Sequence, residues 1–123
     1  MSQFHEEINF DSGLKVLISN FGDMDSPTIK PNKVVYVDYI GYLEDGTVFS
    51  SSEMNGQTFQ FMHGVGNVIP AWEEALNGRK AGSEFTLISP PELAYGETGS
   101  RNGEIPPNSI LIFEIKVRGV QAE

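Results

Sequence analysis

The chain has no cysteine, one tryptophan, two histidines and only eight basic residues among 123, and each scarcity removes a class of function. Without cysteine there is no disulfide, no thiolate nucleophile and no zinc-thiolate site. His5 and His63 cannot build a metal centre unless carboxylates join them, and no histidine-glutamate spacing of a metal-binding helix occurs, so neither metal nor cofactor is expected. Eight Lys and Arg against seventeen Asp and Glu give a formal charge of -9. That charge repels a phosphate backbone, which makes nucleic acid and anionic membrane surfaces poor partners. No apolar run approaches the ~20 residues of a membrane-spanning helix. The first fifteen residues lack the basic start and apolar stretch of a signal peptide. The default reading is a cytoplasmic monomer, with a nuclear home also open.

Familiar catalytic templates are missing too. Gly64-Val65-Gly66 resembles the start of a dinucleotide loop, but Ile69 stands where the third glycine belongs and no βαβ unit surrounds it. No Gly-x-Ser-x-Gly elbow exists to anchor a hydrolytic triad. Glu73 and Glu74 are adjacent and, on a helix, point in different directions, which suits them poorly to paired-carboxylate chemistry.

What is present is glycine, thirteen of them, with seven prolines, which implies short elements and many tight turns. A chain of this length is one domain that buries roughly two-thirds of its unfolded surface without staples. Residues 1–12 are polar and acidic and read as a mobile arm, with order beginning near Gly13. Strands are expected at Leu14 to Ser19, Val34 to Leu43, Thr47 to Phe49, Thr58 to Met62, Ser83 to Ser89 and Ile110 to Val117. Asp45-Gly46 marks a hairpin turn, and residues 92–108 form a long glycine- and proline-rich loop. One helix is expected at Pro70-Ala71-Trp72-Glu73-Glu74-Ala75-Leu76. Proline is preorganised for its first turn, the glutamates favour its positive end, and Asn77-Gly78 stops it. Five or six mainly antiparallel strands curving over one helix make an α+β fold, because each apolar face then covers the other. The domain spans 13–119, with 120–123 as a tail.

The only tryptophan, Trp72, sits on that lone helix. It is either ordinary core or the floor of a cavity that the strands wrap around. With it stand Tyr39, Phe49, Phe59, Val68, Ile69, Tyr95, Ile105 and Phe113, several of them at element ends beside loops, where a site is easier to build than in mid-strand.

Four spaced blocks carry a resemblance. They are Tyr39-Ile40-Gly41-Tyr42-Leu43-Glu44-Asp45-Gly46-Thr47-Val48-Phe49-Ser50-Ser51-Ser52, then Phe59-Gln60-Phe61-Met62-His63-Gly64, then Val68-Ile69-Pro70-Ala71-Trp72-Glu73-Glu74-Ala75-Leu76. The last is Ile88-Ser89-Pro90-Pro91-Glu92-Leu93-Ala94-Tyr95-Gly96, continued by Ile105-Pro106-Pro107 to Glu114. The chain resembles the FKBP family of peptidyl-prolyl isomerases, immunophilins that bind tacrolimus and rapamycin. The resemblance implies a twisted antiparallel sheet wrapped around a short helix, rotation of X-Pro bonds in protein substrates as the activity, a folding-helper role, and macrolide binding. It implies a prolyl pocket walled and floored by Tyr39, Phe49, Phe59, Val68, Ile69, Trp72 and Phe113. Tyr95 is then a hydroxyl donor, the Ile69 amide a second donor, and Ala94 and Ile105 contribute to the rim.

Two positions depart from the family pattern. Ser50 follows Phe49 where the family commonly has an aspartate, and Asn55 stands where an arginine often pairs with it. Loss of both partners avoids a stranded charge, so the swap is either compensated or a cause of weaker isomerase activity and weaker macrolide affinity. The alternative function is a non-catalytic binding module for proline-containing segments. The loop after Tyr95 is one residue longer than the common family form, and its Arg101 and Glu104 are candidates for setting sequence preference.

Overall fold

Strict alternation of apolar and polar residues is the pattern of a strand with one face on the core, and it sets the layout of this chain. The computed structural model describes residues 6–100 and 103–121. Its strands are β1 (Glu6–Asn9), β2 (Lys15–Phe21), β3 (Val34–Leu43), β4 (Val48–Ser51), β5 (Phe59–Met62), β6 (Ser83–Ser89) and β7 (Leu111–Val120). One α-helix, α1 (Pro70–Leu76), and two 3-10 turns, Glu53–Asn55 and Pro91–Leu93, complete the elements. All strand pairs are antiparallel, in the order β1-β2-β6-β7-β3-β4, with β5 also on β3. The α+β reading with one short helix against one antiparallel sheet is what the chain adopts.

Strand β3 organises the sheet. One edge pairs with β7 over its whole length, from Val35 opposite Val120 to Leu43 opposite Leu111. The other edge is shared end to end: Val34 to Val37 take β5, and Ile40 to Tyr42 take β4. Inward-facing Val35 and Val37 are fully buried with Val16, Ile18, Leu87 and Val117 on neighbouring strands. Helix α1 closes this concave face with Ala71, Trp72, Ala75 and Leu76. The two alanines let the short helix lie close to the sheet, and burying a side chain such as Leu76 contributes about 1.5–3 kcal/mol.

The amino-terminal segment corrects the expectation of a mobile arm over residues 1–12. Glu6–Asn9 is strand β1, paired with Lys15 to Ile18 of β2. Ile8 and Phe10 pack on the core, and the Ser12 hydroxyl donates to Glu74 on α1 at 2.5 Å. The segment's polar composition hid these two apolar anchors. Its first five residues, with His5 among them, lie outside the described residues, as do Arg101 and the last two residues of the expected tail. At the other end β7 runs three residues beyond the expected Val117, because Val34 N–H and the Gln121 side chain keep the pairing going; Val120 is strand rather than tail.

Candidate functional site

Where β5 gives way to β4 along one edge of β3, the backbone of Tyr39, opposite Ile115 of β7 on the other edge, has no strand partner on this one. Ser52 fills that gap: its N–H donates to the Tyr39 carbonyl at 3.0 Å and its Oγ accepts from the Tyr39 N–H at 3.1 Å. Tyr39 is thereby fixed at a break in the sheet edge with its ring turned inward. Next to it, Gly41 lies opposite Ser50 on β4 and Phe113 on β7. A Cβ on Gly41 would come within 2.7 Å of Phe49 Cζ and 2.9 Å of Phe113 Cε1. Only glycine lets those two rings close over the strand, where they meet edge to face at 5.6 Å.

The floor comes from the helix. Ile69 is extended (φ -62°, ψ 153°) and caps α1, its carbonyl accepting from Trp72 N–H at 3.0 Å and Glu73 N–H at 3.2 Å. Pro70 at the first helical position lacks the N–H that would go unsatisfied there. Trp72 is therefore delivered in the first turn, pointing at the sheet, and is 4% exposed. Its indole meets Tyr39 at 5.0 Å, Phe113 at 5.3 Å, Phe61 at 5.8 Å and Phe59 at 5.9 Å, all edge to face. Such pairs contribute about 0.5–1.5 kcal/mol each beyond area burial. The Trp72 Nε1–H is buried with no hydrogen-bond partner among the described residues.

The long loop supplies the lid side. Gly99 (φ +74°) is pressed against the Ile105 carbonyl, where a Cβ would sit 2.3 Å away. Ser100 N–H donates to the Ile105 carbonyl and its Oγ accepts from the Ile105 N–H, both at 3.0 Å. Asn108 N–H reaches back to the Gly96 carbonyl at 2.8 Å. These bonds tie Gly96 to Asn108 and Ser100 to Ile105, and Ile105 is buried. Tyr95 at its start is 38% exposed. Burial, and secondarily the nearby Tyr39, push its phenol above the ordinary value of 10.0, so it is a neutral hydroxyl at physiological pH.

A cleft of about 540 Å³ results. It is lined by Tyr39, Phe49, Ser50, Phe59, Val68, Ile69, Trp72, Tyr95, Ile105 and Phe113, together with Gly66, Asn67, Ser100 and Glu104. Of the residues assigned from sequence to the pocket and its rim, Ala94 alone does not line it; it ends the 3-10 turn Pro91–Leu93 and packs against the core beside Tyr95. Asn67 and Ser100 were not anticipated. The signal for Asn67 was its place in a Gly-x-Gly-Asn turn, where its Oδ1 accepts from the Met62 N–H at 3.2 Å. Ser50 has a specific role at the cleft edge: its Oγ lies 2.8 Å from the Tyr39 hydroxyl. Asn55 falls in the 3-10 turn Glu53–Asn55 that follows β4.

Chemically this is a place to dehydrate something apolar and flat. The sides are aromatic, and two donors stand ready, the Tyr95 hydroxyl and the Ile69 N–H, which donates to no backbone carbonyl among the described residues. A larger groove of about 680 Å³ on the other face of the sheet is unsuited to that task, since Asp38, Glu53, Glu84, Glu114 and Lys116 line it and charged groups hold their water.

Known proteins match this chain in sequence and in fold. A family model for FKBP-type peptidyl-prolyl cis-trans isomerase matches residues 26–118. FK506-binding protein 2 of Yarrowia lipolytica is 51% identical over 79 residues, 64% of this chain and 54% of that one. The FKBP-type 22 kDa peptidyl-prolyl cis-trans isomerase of Escherichia coli is 43% identical over 107 residues, 87% of this chain and 50% of that one. The chain thus spans about half the length of these two relatives. The crystal structure of AtFKBP13 superposes with a TM-score of 0.84 at 35% identity, covering 95% of this chain and 99% of the other. With the family model matching three-quarters of the sequence, two relatives above 40% identity and the same sheet-over-helix fold, the chain belongs to the FKBP-type peptidyl-prolyl cis-trans isomerase family.

Proposed function

We propose that the chain accelerates cis-trans rotation of X-Pro bonds in protein substrates, and that the same cleft binds macrolides of the tacrolimus and rapamycin type. The observation that carries the reading is the aromatic floor of Trp72 in a cleft that Tyr95 and Ile69 also line, with the Ile69 N–H donating to no backbone carbonyl among the described residues.

Rotation about the imide faces a barrier of ~18–20 kcal/mol, because resonance is lost at the twisted state. No covalent bond breaks and no proton must move. The cleft therefore needs only to hold the twisted imide better than either planar isomer, and each ~1.4 kcal/mol of that difference gives about tenfold in rate. The pyrrolidine ring would occupy the apolar part of the cleft lined by Trp72, Tyr39, Phe59 and Phe113. The planar imide carries more charge separation than the twisted one, so a dry aromatic site disfavours the ground state more. Tyr95 and the Ile69 amide orient the flanking carbonyls and keep the chain from turning with the ring.

A protease-coupled assay on Xaa-Pro peptides tests the activity: catalysis above the uncatalysed rate is expected, weakened in Tyr95→Phe and Trp72→Phe. A wild-type rate equal to background would sink it. For macrolides, saturable quenching of Trp72 fluorescence and a rise in Tm are expected; neither appearing would refute that part. A second reading, a binding module for proline-containing segments with little turnover, is favoured by one observation, the neutral Tyr39–Ser50 pair where the family commonly places a carboxylate.

A further inference from the structure

Ser52 stands at the N-cap of the 3-10 turn Glu53–Asn55, yet its side chain makes no capping hydrogen bond there. A serine in that place ordinarily turns its oxygen to the free N–H groups of the turn. Here Ser51 Oγ accepts from the Met54 N–H at 3.0 Å, and Ser52 Oγ reaches across to the Tyr39 N–H at 3.1 Å instead. Ser52 is 5% exposed and does not itself line the cleft. We infer that Ser52 is a positioning residue for the isomerase reaction: it sets the place of the Tyr39 ring in the cleft wall, and with it the fit of the cleft to the X-Pro imide, a role that rests on the isomerase reading of the cleft.

Tyr39 depends on this partner because strand pairing stops short of it on that edge: β5 ends its register at Val37 and β4 begins at Ile40. Ser52 meets both backbone groups of Tyr39, the N–H through Oγ and the carbonyl through its own N–H. It is held in turn by the Gln57 N–H, which donates to the Ser52 carbonyl at 3.3 Å. The Ser52 hydroxyl proton points the other way, to Asp38 Oδ1 at 3.5 Å, and Thr58 Oγ1 and Arg118 Nε fix that carboxylate. Donation to Asp38 leaves an oxygen lone pair for Tyr39. The ring end of Tyr39 is tied more softly, by a neutral contact with Ser50 at 2.8 Å and by edge contacts with Trp72 and Phe59, and neutral hydrogen bonds are about half as strong as charge-assisted ones. Without Ser52 Oγ the Tyr39 N–H would be a donor with no described acceptor, and the strand edge would shift to find one.

The test compares Ser52→Ala, Ser52→Cys and Ser52→Thr with Ser83→Ala, which removes another buried serine hydroxyl, one bonded to Lys80 and Phe21 away from the cleft. For each, kcat and KM on Xaa-Pro peptides are measured at a temperature where the variant is folded, beside its Tm. In Ser52→Ala, and in Ser52→Cys, which keeps the volume but offers a weak acceptor, kcat/KM is expected to fall about three- to tenfold with part of the loss in kcat. Ser52→Thr keeps the oxygen and should stay within about twofold of the wild type, as should Ser83→Ala whatever its Tm. An unchanged kcat/KM in both Ser52→Ala and Ser52→Cys, or a loss in Ser83→Ala as large as theirs, overturns the inference. The edge contact of Tyr39 with Trp72 at 5.0 Å gives a second readout without turnover: Trp72 emission, and its response to the same peptides, should change in Ser52→Ala and not in Ser83→Ala. A wild type without isomerase activity whose Trp72 signals shift in this way refutes the isomerase reading alone. Trp72 signals identical in wild type and Ser52→Ala refute the positioning role.

Discussion

The Tyr39 and Ser50 hydroxyls lie 2.8 Å apart at the edge of the cleft. Each has one proton to give, and their shared bond uses one of them. A carboxylate at position 50 would accept only and force Tyr39 to donate. With serine the direction is open, and the remaining O–H of the pair is free to face a bound ligand. The swap therefore changes both the charge and the polarity pattern of the cleft wall.

The first prediction follows from that pair. Ser50→Asp combined with Asn55→Arg restores an ion pair of the family type, and charge-assisted hydrogen bonds are roughly twice as strong as neutral ones. We expect about a tenfold gain in kcat/KM on Xaa-Pro peptides, equivalent to ~1.4 kcal/mol of transition-state stabilisation. Ser50→Asp alone places a carboxylate in a cleft with no described cation in its lining, and should lower Tm. If the double variant matches the wild type in rate, the swap has no catalytic consequence and the neutral pair is an equivalent wall.

How much of this was legible beforehand differs by element, for physical reasons. Strands β3 and β6 have the ends expected from their alternation, because each has one face on the core and turn residues at its borders. Strand β1 was invisible: as an edge strand of four residues it is held by backbone pairing and needs little apolar patterning. The aromatic wall of the cleft could be read from family-like blocks. Glu104 could be marked only as a loop charge, since its place in the cleft lining goes with the bonds between Ser100 and its neighbour Ile105, which no periodicity signals. The role of Ser52 at the break in the β3 edge had no periodic signal at all.

The second prediction concerns the clamp by the amino-terminal segment. Phe10 packs against the core, and Ser12 ties the same stretch to α1 through Glu74. Phe10→Ala is expected to cost about 2–4 kcal/mol in chemical denaturation, and Ser12→Ala under about 1 kcal/mol because that bond is exposed. A Phe10→Ala protein as stable as the wild type would show that the segment contributes nothing to the fold in solution.

The third prediction separates volume from hydrogen bonding at the floor. The Trp72 indole N–H has no described partner, so Trp72→Phe forfeits ring area and no hydrogen bond, and should cost roughly 1–2 kcal/mol of stability, against about 3–5 for Trp72→Ala. A Trp72→Phe loss as large as that of the alanine variant would mean that the N–H is engaged after all, and amide-region proton shifts of the indole would identify the acceptor.

The fourth prediction uses Gly41. Its hydrogen faces Phe49 and Phe113 at separations no Cβ tolerates, while its backbone is ordinary strand. Gly41→Ala must push one ring outward or the strands apart, an overpacking cost of about 1–3 kcal/mol. Because the rings that move are cleft walls, we expect KM for Xaa-Pro peptides to rise, whereas Val48→Ala, at an exposed site on the same hairpin, should leave it alone. A normal KM in Gly41→Ala would mean that the sheet, not the aromatic wall, absorbs the strain.

The last prediction is the pH dependence of the donor. Burial raises the Tyr95 phenol above 10.0 in the folded protein, with Tyr39 as the lesser cause. The native state therefore holds this proton more tightly than the unfolded chain. The corresponding stability is present below pH 10.0 and is lost as the pH rises through the folded value. Catalysis that uses Tyr95 as a neutral donor should accordingly have no limb from this residue between about pH 6 and 9, and should decline only in the alkaline range. In Tyr95→Phe that alkaline decline should vanish while the remaining activity stays level. Ultraviolet titration of the phenolate band in wild type and variant locates the same group independently. An alkaline limb of unchanged position in Tyr95→Phe would assign the decline to another residue and remove Tyr95 from the role of donor.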